Sequence, residues 1–156
     1  MRWITLLGWL ALCFAVAGIS GSFTAHEVPG WYRTLIRPSF APPDWVFGPV
    51  WTLLYALMAV AAWRISIAPA SSTRNAALAL FILQLALNFA WSLIFFRQHA
   101  IGAAFAEVLV LWAFIGGTTL IFSRLSPLAA WLMVPYWAWV SFASVLNWAF
   151  WRLNRC

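Results

Sequence analysis

Apolar runs as long as a bilayer is thick alternate along this chain with short polar or proline-bearing breaks. A spanning helix needs about 20 predominantly apolar residues. Five runs meet that need, over about 4–25, 45–66, 76–96, 100–122 and 127–151. The breaks carry helix signals. Asp44 stands where an N-cap of the second helix belongs, and Ser126-Pro127 reads as a cap followed by a proline at the first helical position. Pro135 falls inside the fifth run, where its ring should free the carbonyl of Trp131 and bend the helix. The first run has one early Arg and an Ala15-Val16-Ala17 that resembles a cleavage site, but its apolar character continues beyond that site. It is expected to be a retained span. Leu12 before Cys13 is too large for a lipoprotein signal.

Composition removes the soluble alternatives. Of 156 residues, 65% are hydrophobic and only 8% charged, against about 25% charged in a soluble domain. The expected fold is all-α, one integral multi-pass membrane bundle of five helices over residues 1–156, without repeats or low-complexity tracts. All nine basic residues are Arg, the acids are Glu27, Asp44 and Glu107, and the net charge is +6. These arginines sit at span ends, where they meet lipid headgroups, so nucleic acid is not an expected partner. Four (Arg2, Arg64, Arg74, Arg124) fall on one side and five (Arg33, Arg37, Arg97, Arg152, Arg155) on the other, which leaves orientation open. Cys13 lies within the first run and Cys156 ends the chain, so no disulfide is expected.

One connection does not read as a mere connection. Segment 27–44 carries Trp31, Tyr32, Pro38, Phe40, Pro42 and Pro43, with Trp45 just beyond, together with two arginines. Prolines stiffen it and aromatic rings give it bulk, so it is expected to act as a lid over the bundle. The 68–75 segment, by contrast, is an ordinary short linker.

Polar side chains inside the spans are rare enough for each to be a candidate. Gln84, Asn88, Trp91 and Phe95 recur at helical spacing and share one face of the third helix. Trp51, Tyr55 and Met58 form a stripe on the second, and Trp139, Ala143, Asn147 and Trp151 one on the fifth. Such faces bond helix to helix or line a pocket. For Asn88 beside Trp91 the pocket is the favoured reading, and small Ala143 leaves room for a large flat ligand. Trp3, Trp63 and Trp131 suit an interfacial belt. Glu107, a third of the way into the fourth helix, reads either as a structural carboxyl or as a functional one. It has no second acid and no intramembrane His beside it, which weakens a proton-coupled transporter.

Catalytic and metal-binding patterns are missing. His26 and His99 lie at different span ends, no serine has a His-plus-acid partner, and His26-Glu27 lacks metal-site spacing. Gly116-Gly117 has no phosphate-loop context. The pairs Gly102/Ala106 and Ala86/Ala90 have the small-xxx-small spacing that lets helices approach closely or dimerise. Val145, Leu146, Trp148 and Arg152 approximate a sterol-contact pattern, with Trp148 where Tyr is expected.

Taken together, WYRTLIRPSFAPPDWVFGPVWTLLY (31–55), QLALNFAWSLIFF (84–96) and SPLAAWLMVPYWAWVSFASVLNWAFWRLN (126–154) resemble the translocator protein family, also called peripheral-type benzodiazepine receptors or tryptophan-rich sensory proteins, in its bacterial form. The resemblance covers nearly the whole chain. It implies five transmembrane helices around a pocket open toward the long loop, often in a homodimer. It implies binding of porphyrins such as protoporphyrin IX, of sterols and of benzodiazepine-type drugs, with porphyrin as ligand and no cofactor. The family's pocket residues fall here on Trp51, Asn88, Trp91, Trp139, Ala143 and Leu146, and the residue reading adds Asn147. Some bacterial members are said to degrade porphyrin in light through tryptophans matching Trp51 and Trp139, which would make those two catalytic. Phe40 departs from the family's usual Trp, and should change lid contacts rather than abolish them. Three readings stay open: a porphyrin receptor, sensor or carrier; a photo-oxidative enzyme; and a transporter coupled through Glu107.

Overall fold

The structure is a computed structural model of the chain, described here for residues 1–155. Cys156 lies outside the described residues, and with it the expectation about its pairing. All five apolar runs are helices: α1 Arg2–Glu27, α2 Phe47–Ser66, α3 Ser72–Ser92, α4 Ile101–Leu125 and α5 Pro127–Asn154. No strand occurs among the described residues. Each helix, with its short extensions, is long and apolar enough to cross a membrane.

Helix ends differ from expectation for identifiable reasons. α3 starts at Ser72 rather than 76 because the Ser71 side chain accepts the Arg74 N–H at 3.0 Å, so polar Thr73 and Asn75 enter the first turn. At α5, Ser126 caps as expected, its side chain accepting from the Ala129 N–H at 3.3 Å, and the helix runs unbroken through Pro135. Asp44 does not cap α2 with its side chain; it opens a 3-10 turn, Asp44–Val46, and turns its carboxylate toward Arg37. α1 and α3 do not stop where their α-hydrogen bonding stops. Each continues as a π-helical turn, Val28–Tyr32 and Leu93–Arg97. The connection expected over 27–44 therefore shortens, and Trp31 and Tyr32 belong to a helix end.

The helices close into a ring in the order α1, α2, α5, α4, α3 and back to α1. Two apolar cores fill it. One, away from the long connection, contains Met58, Ile65, Phe81, Phe122 and Met133. The other, beneath that connection, contains Tyr32, Phe95, Phe96, Ala104, Leu146 and Phe150. The π-turns face each other across this second core, with Tyr32 against Phe95 and Phe96 and Trp31 at 5.7 Å from Phe95. His99 reverses the chain into α4 at φ 56°, a left-handed conformation uncommon for a residue with a side chain. Its ring stacks on Trp31 at 4.0 Å and Nε2 lies 2.9 Å from Glu27 Oε2, so the turn is held from α1.

Trp3 and Trp131 are largely exposed to the lipid side, as a belt requires, and Trp63 stacks on Trp3 at 5.9 Å. The α4–α5 contact depends on glycine. A Cβ added to Gly116 would come 2.7 Å from Trp137 Cζ2, and one on Gly102 would come 2.7 Å from Trp151 Nε1. We predict that Gly116→Ala lowers the unfolding midpoint in detergent, since overpacking costs about 1–3 kcal/mol. Gly117→Ala, where a Cβ meets nothing within 4 Å, should leave it unchanged. Circular dichroism melts of the two variants check this, and equal losses would contradict the packing.

Candidate functional site

Three helices present their polar side chains to one another at mid-depth. The Tyr55 hydroxyl of α2 donates to Asn88 Oδ1 at 2.5 Å, and Asn88 Nδ2 donates to the Tyr136 oxygen of α5 at 2.9 Å. Tyr136 in turn donates to Gln84 Oε1 at 2.8 Å. One helical turn further along α3, the Trp91 indole N–H donates to Asn147 Oδ1 at 2.9 Å, and Asn147 Nδ2 donates to the Ile101 carbonyl at 3.0 Å. Every amide in these chains is buried. Buried polar groups in an apolar setting must be paired, and here they pair with one another.

Beside these networks lies a cavity of about 410 Å³, within the size range of small-molecule sites. All seven residues singled out for a pocket stand on its wall: Trp51, Asn88, Trp91, Trp139, Ala143, Leu146 and Asn147. The wall also includes Phe47 and Tyr55 from the α2 side and Phe95, Phe96 and Phe150 from the second core. Trp51 lies 5.7 Å from Tyr55 and 6.2 Å from Tyr136, ring to ring, and Trp139 lies 6.2 Å from Phe47. Indoles from α2, α3 and α5 thus surround the space on three sides.

The helix stripes do not all converge. Trp151 leaves the cavity and stacks on Phe105 at 5.9 Å, in the groove at Gly102. Gln84 lies beneath, bonded to Tyr136, and does not line the space. The sterol pattern splits in two. Leu146 faces the cavity, whereas Val145 and Trp148 are exposed on the outer face, with the Arg152 guanidinium 5.1 Å from the Trp148 ring centre.

Of the seven lid residues only Tyr32 reaches the cavity. Trp45 points outward and is 74% exposed, Phe40 leans on Phe142 at 6.3 Å, and Pro38 is buried in the loop. Arg37 sets this arrangement. Its Nη1 lies 3.0 Å from Asp44 Oδ1, its Nη2 donates to the Pro42 carbonyl at 2.9 Å, and its guanidinium sits 5.3 Å over Tyr32. Asn154 then ties the loop to α5, its Oδ1 accepting the Ile36 N–H at 2.8 Å and its Nδ2 donating to the Ile36 carbonyl at 3.0 Å.

Sequence reasoning missed α1, which supplies Ala17, Ser20, Gly21, Thr24 and Ala25 to the wall. The recurring small residues of 15–25 were the available signal. The exposed part of the rim is Gly21, Ala25 and Pro29 on one side and Gly48 and Thr52 on the other, so the cavity opens sideways between α1 and α2. Glu107 is not on the wall. Both its carboxylate oxygens are buried and make no hydrogen bond among the described residues.

Residues 9–152 match the TspO/MBR family. The chain belongs to that family. It is 40% identical to the tryptophan-rich protein TspO of Chlorobaculum tepidum over 97% of this chain and 96% of that one. It is 38% identical to the tryptophan-rich sensory protein of Cereibacter sphaeroides, covering 99% and 94% of the two chains. The human translocator protein is 36% identical, over 98% and 92%. Family membership and five spanning helices make this an integral, multi-pass membrane protein.

In this TspO/MBR bundle the Asn88 amide bonds two tyrosines from two other helices. Asn88→Ala leaves both Tyr55 and Tyr136 short of a partner, and we predict a loss of about 1–2 kcal/mol. Gln84→Leu should cost less, because it takes a partner from Tyr136 alone and leaves the Tyr55–Asn88 bond in place. Unfolding of both variants in detergent, followed by circular dichroism, decides whether the order holds.

Proposed function

We propose that the cavity binds large flat amphipathic ligands, with porphyrins such as protoporphyrin IX as the principal class, and that the protein is a sensor or carrier of them. The observation that carries this reading is the convergence of Trp51, Trp91 and Trp139 from three helices around one apolar space. Flat aromatic walls favour a flat conjugated ligand through offset and edge contacts. Benzodiazepine-type drugs fit the same description at smaller size. Sterols, by contrast, are assigned to the outer face of α5, where Val145 and Trp148 are exposed and Arg152 stands over the Trp148 ring. The sensory and translocator names of the relatives agree with recognition or carriage.

Titration of purified protein with protoporphyrin IX should quench tryptophan fluorescence saturably. Ala143→Thr should weaken it about tenfold. The added hydroxyl bonds back to the Trp139 carbonyl, and an overpacking cost of about 1.4 kcal/mol corresponds to one decade. Ser144→Thr, at a buried position off the cavity wall, should matter less. Absent saturation sinks the proposal, and equal losses at the two positions would put the ligand elsewhere.

A second reading, light-dependent porphyrin breakdown, is favoured by one specific observation. Trp51 and Trp139, the two indoles it requires as electron donors, both face the cavity. Trp51→Phe and Trp139→Phe retain ring bulk while removing the easily oxidised indole. Under illumination with bound porphyrin, each should abolish new absorbing products if catalysis occurs. Products formed at the original rate would remove these residues from any such chemistry. Coupling through Glu107 gains no support, since that carboxyl is off the wall and makes no hydrogen bond among the described residues.

A further inference from the structure

The floor of the cavity is fixed by the amides of Asn88 and Asn147. Its other end depends on a third asparagine, in the last turn of α5. An asparagine side chain offers one amide oxygen and two N–H donors, and Asn154 engages all three. Oδ1 accepts the Ile36 N–H at 2.8 Å, and Nδ2 donates to the Ile36 carbonyl at 3.0 Å and to the Phe150 carbonyl at 2.9 Å. Among the described residues, the two bonds to Ile36 are the only backbone hydrogen bonds that leave 33–43 for a residue distant in sequence. The others close local turns, such as Ala41 N–H to the Pro38 carbonyl.

The bond to Phe150 holds the amide against its own helix, and Phe150 is buried in the second core with its ring 5.3 Å from Tyr32. The chain from Tyr32 onward thus meets α5 at two positions, one turn apart. Arg37, next after Ile36, carries the constraint onward to Asp44, to the Pro42 carbonyl and to the Tyr32 ring. Tyr32 and Asp44 stand on the cavity wall, whereas Asn154, Ile36 and Arg37 do not. One amide therefore reaches two wall residues through a loop that itself stays off the wall.

We propose that Asn154 is a positioning residue for the ligand site. It anchors 33–43 to α5 as a fixed strap, which keeps the loop-side end of the cavity closed and holds Tyr32 and Asp44 in place. It acts through Ile36 and Arg37 and touches no ligand, and its role toward a ligand rests on the cavity being the binding site. The side chain is specific to the task. Aspartate keeps the acceptor for the Ile36 N–H but loses both donors, and glutamine carries the same amide one methylene further out.

Two measurements on the whole protein in detergent separate the anchor from its consequence. Hydrogen exchange reads the loop, and stopped-flow tryptophan quenching by protoporphyrin IX reads the cavity. In Asn154→Ala the Ile36 amide and its neighbours should exchange about tenfold faster, the scale of one lost hydrogen bond. Association and dissociation of the porphyrin should both quicken, by about threefold or more, with Kd held within about twofold, because an opened end lowers the barrier in both directions. Asn154→Asp should fall between, since the Ile36 N–H keeps its acceptor. Leu153→Ala, at the exposed neighbouring position, should change neither measurement. Unchanged exchange over 33–43 in Asn154→Ala would remove the anchor. Faster exchange with unchanged porphyrin rates, or a weaker Kd with association unaltered, would overturn the positioning role while leaving the cavity as the binding site. If the unaltered protein shows no quenching, the binding reading falls and the role toward a ligand with it, and exchange alone decides whether Asn154 anchors the loop.

Discussion

The buried amide of Asn88 is the contact on which the arrangement of α2, α3 and α5 depends. Helices in a bilayer gain little from burying apolar side chains against one another, because lipid tails are equally apolar. Register must then come from close packing and from the few polar groups that cannot face lipid. Asn88 accepts from Tyr55, donates to Tyr136, and through Tyr136 connects to Gln84 on its own helix. Sliding any of the three helices by one turn would leave several of these groups unpaired at once. Asn147 repeats the device between α3, α5 and the start of α4 through Trp91 and the Ile101 carbonyl.

α1 takes no part in either network. Its polar ties lie near its ends, Trp9 to Ser66 and the Arg2 carbonyl to Trp63 at one, Glu27 to His99 at the other. Between them it meets the cavity with Ala17, Ser20, Gly21 and Thr24, and a Cβ on Gly21 would touch nothing. The side of the ring without an amide crosslink is therefore the side on which the cavity opens. The same physics that locks α2, α3, α4 and α5 leaves the α1–α2 edge without an amide crosslink beside the cavity.

Much of this was legible in the sequence because few polar residues enter the spans. Gln84, Asn88 and Asn147 had to face inward, and spacing put Trp91, Trp139 and Ala143 on their faces and Trp51 on a stripe of its own, whereas Leu146 was named through the family resemblance alone. What was not legible depended on partners distant in sequence. The chain could not reveal that Val28–Tyr32 continues α1 through Pro29 as a π-turn, since this is held by packing of Trp31 and Tyr32 against Phe95 and Phe96. Nor could it reveal that Asp44 prefers Arg37 to a helix N-terminus, or that Trp45 consequently faces outward. Trp151 shared a stripe with Trp139 and Asn147, yet the groove at Gly102 takes it away. A stripe predicts a face only for as long as the neighbouring helix remains the same.

The two ends of the cavity also constrain what kind of chemistry it can host. Acid–base catalysis requires titratable groups poised against a substrate, and among the described residues the wall offers one carboxylate, Asp44, already flanked by two arginines, and two phenols, Tyr32 and Tyr55, the latter bonded to Asn88. The remaining resources are aromatic surface, bulk and a small set of hydrogen-bonding groups. At the floor those groups are internally satisfied, so a ligand placing polarity there would have to break bonds that hold the bundle together. Beneath the loop, Tyr32 and Asp44 belong to helix ends outside the two amide networks. The helices have thus already used their hydrogen bonds at the floor, and the titratable wall groups free of the two amide networks lie beneath the loop.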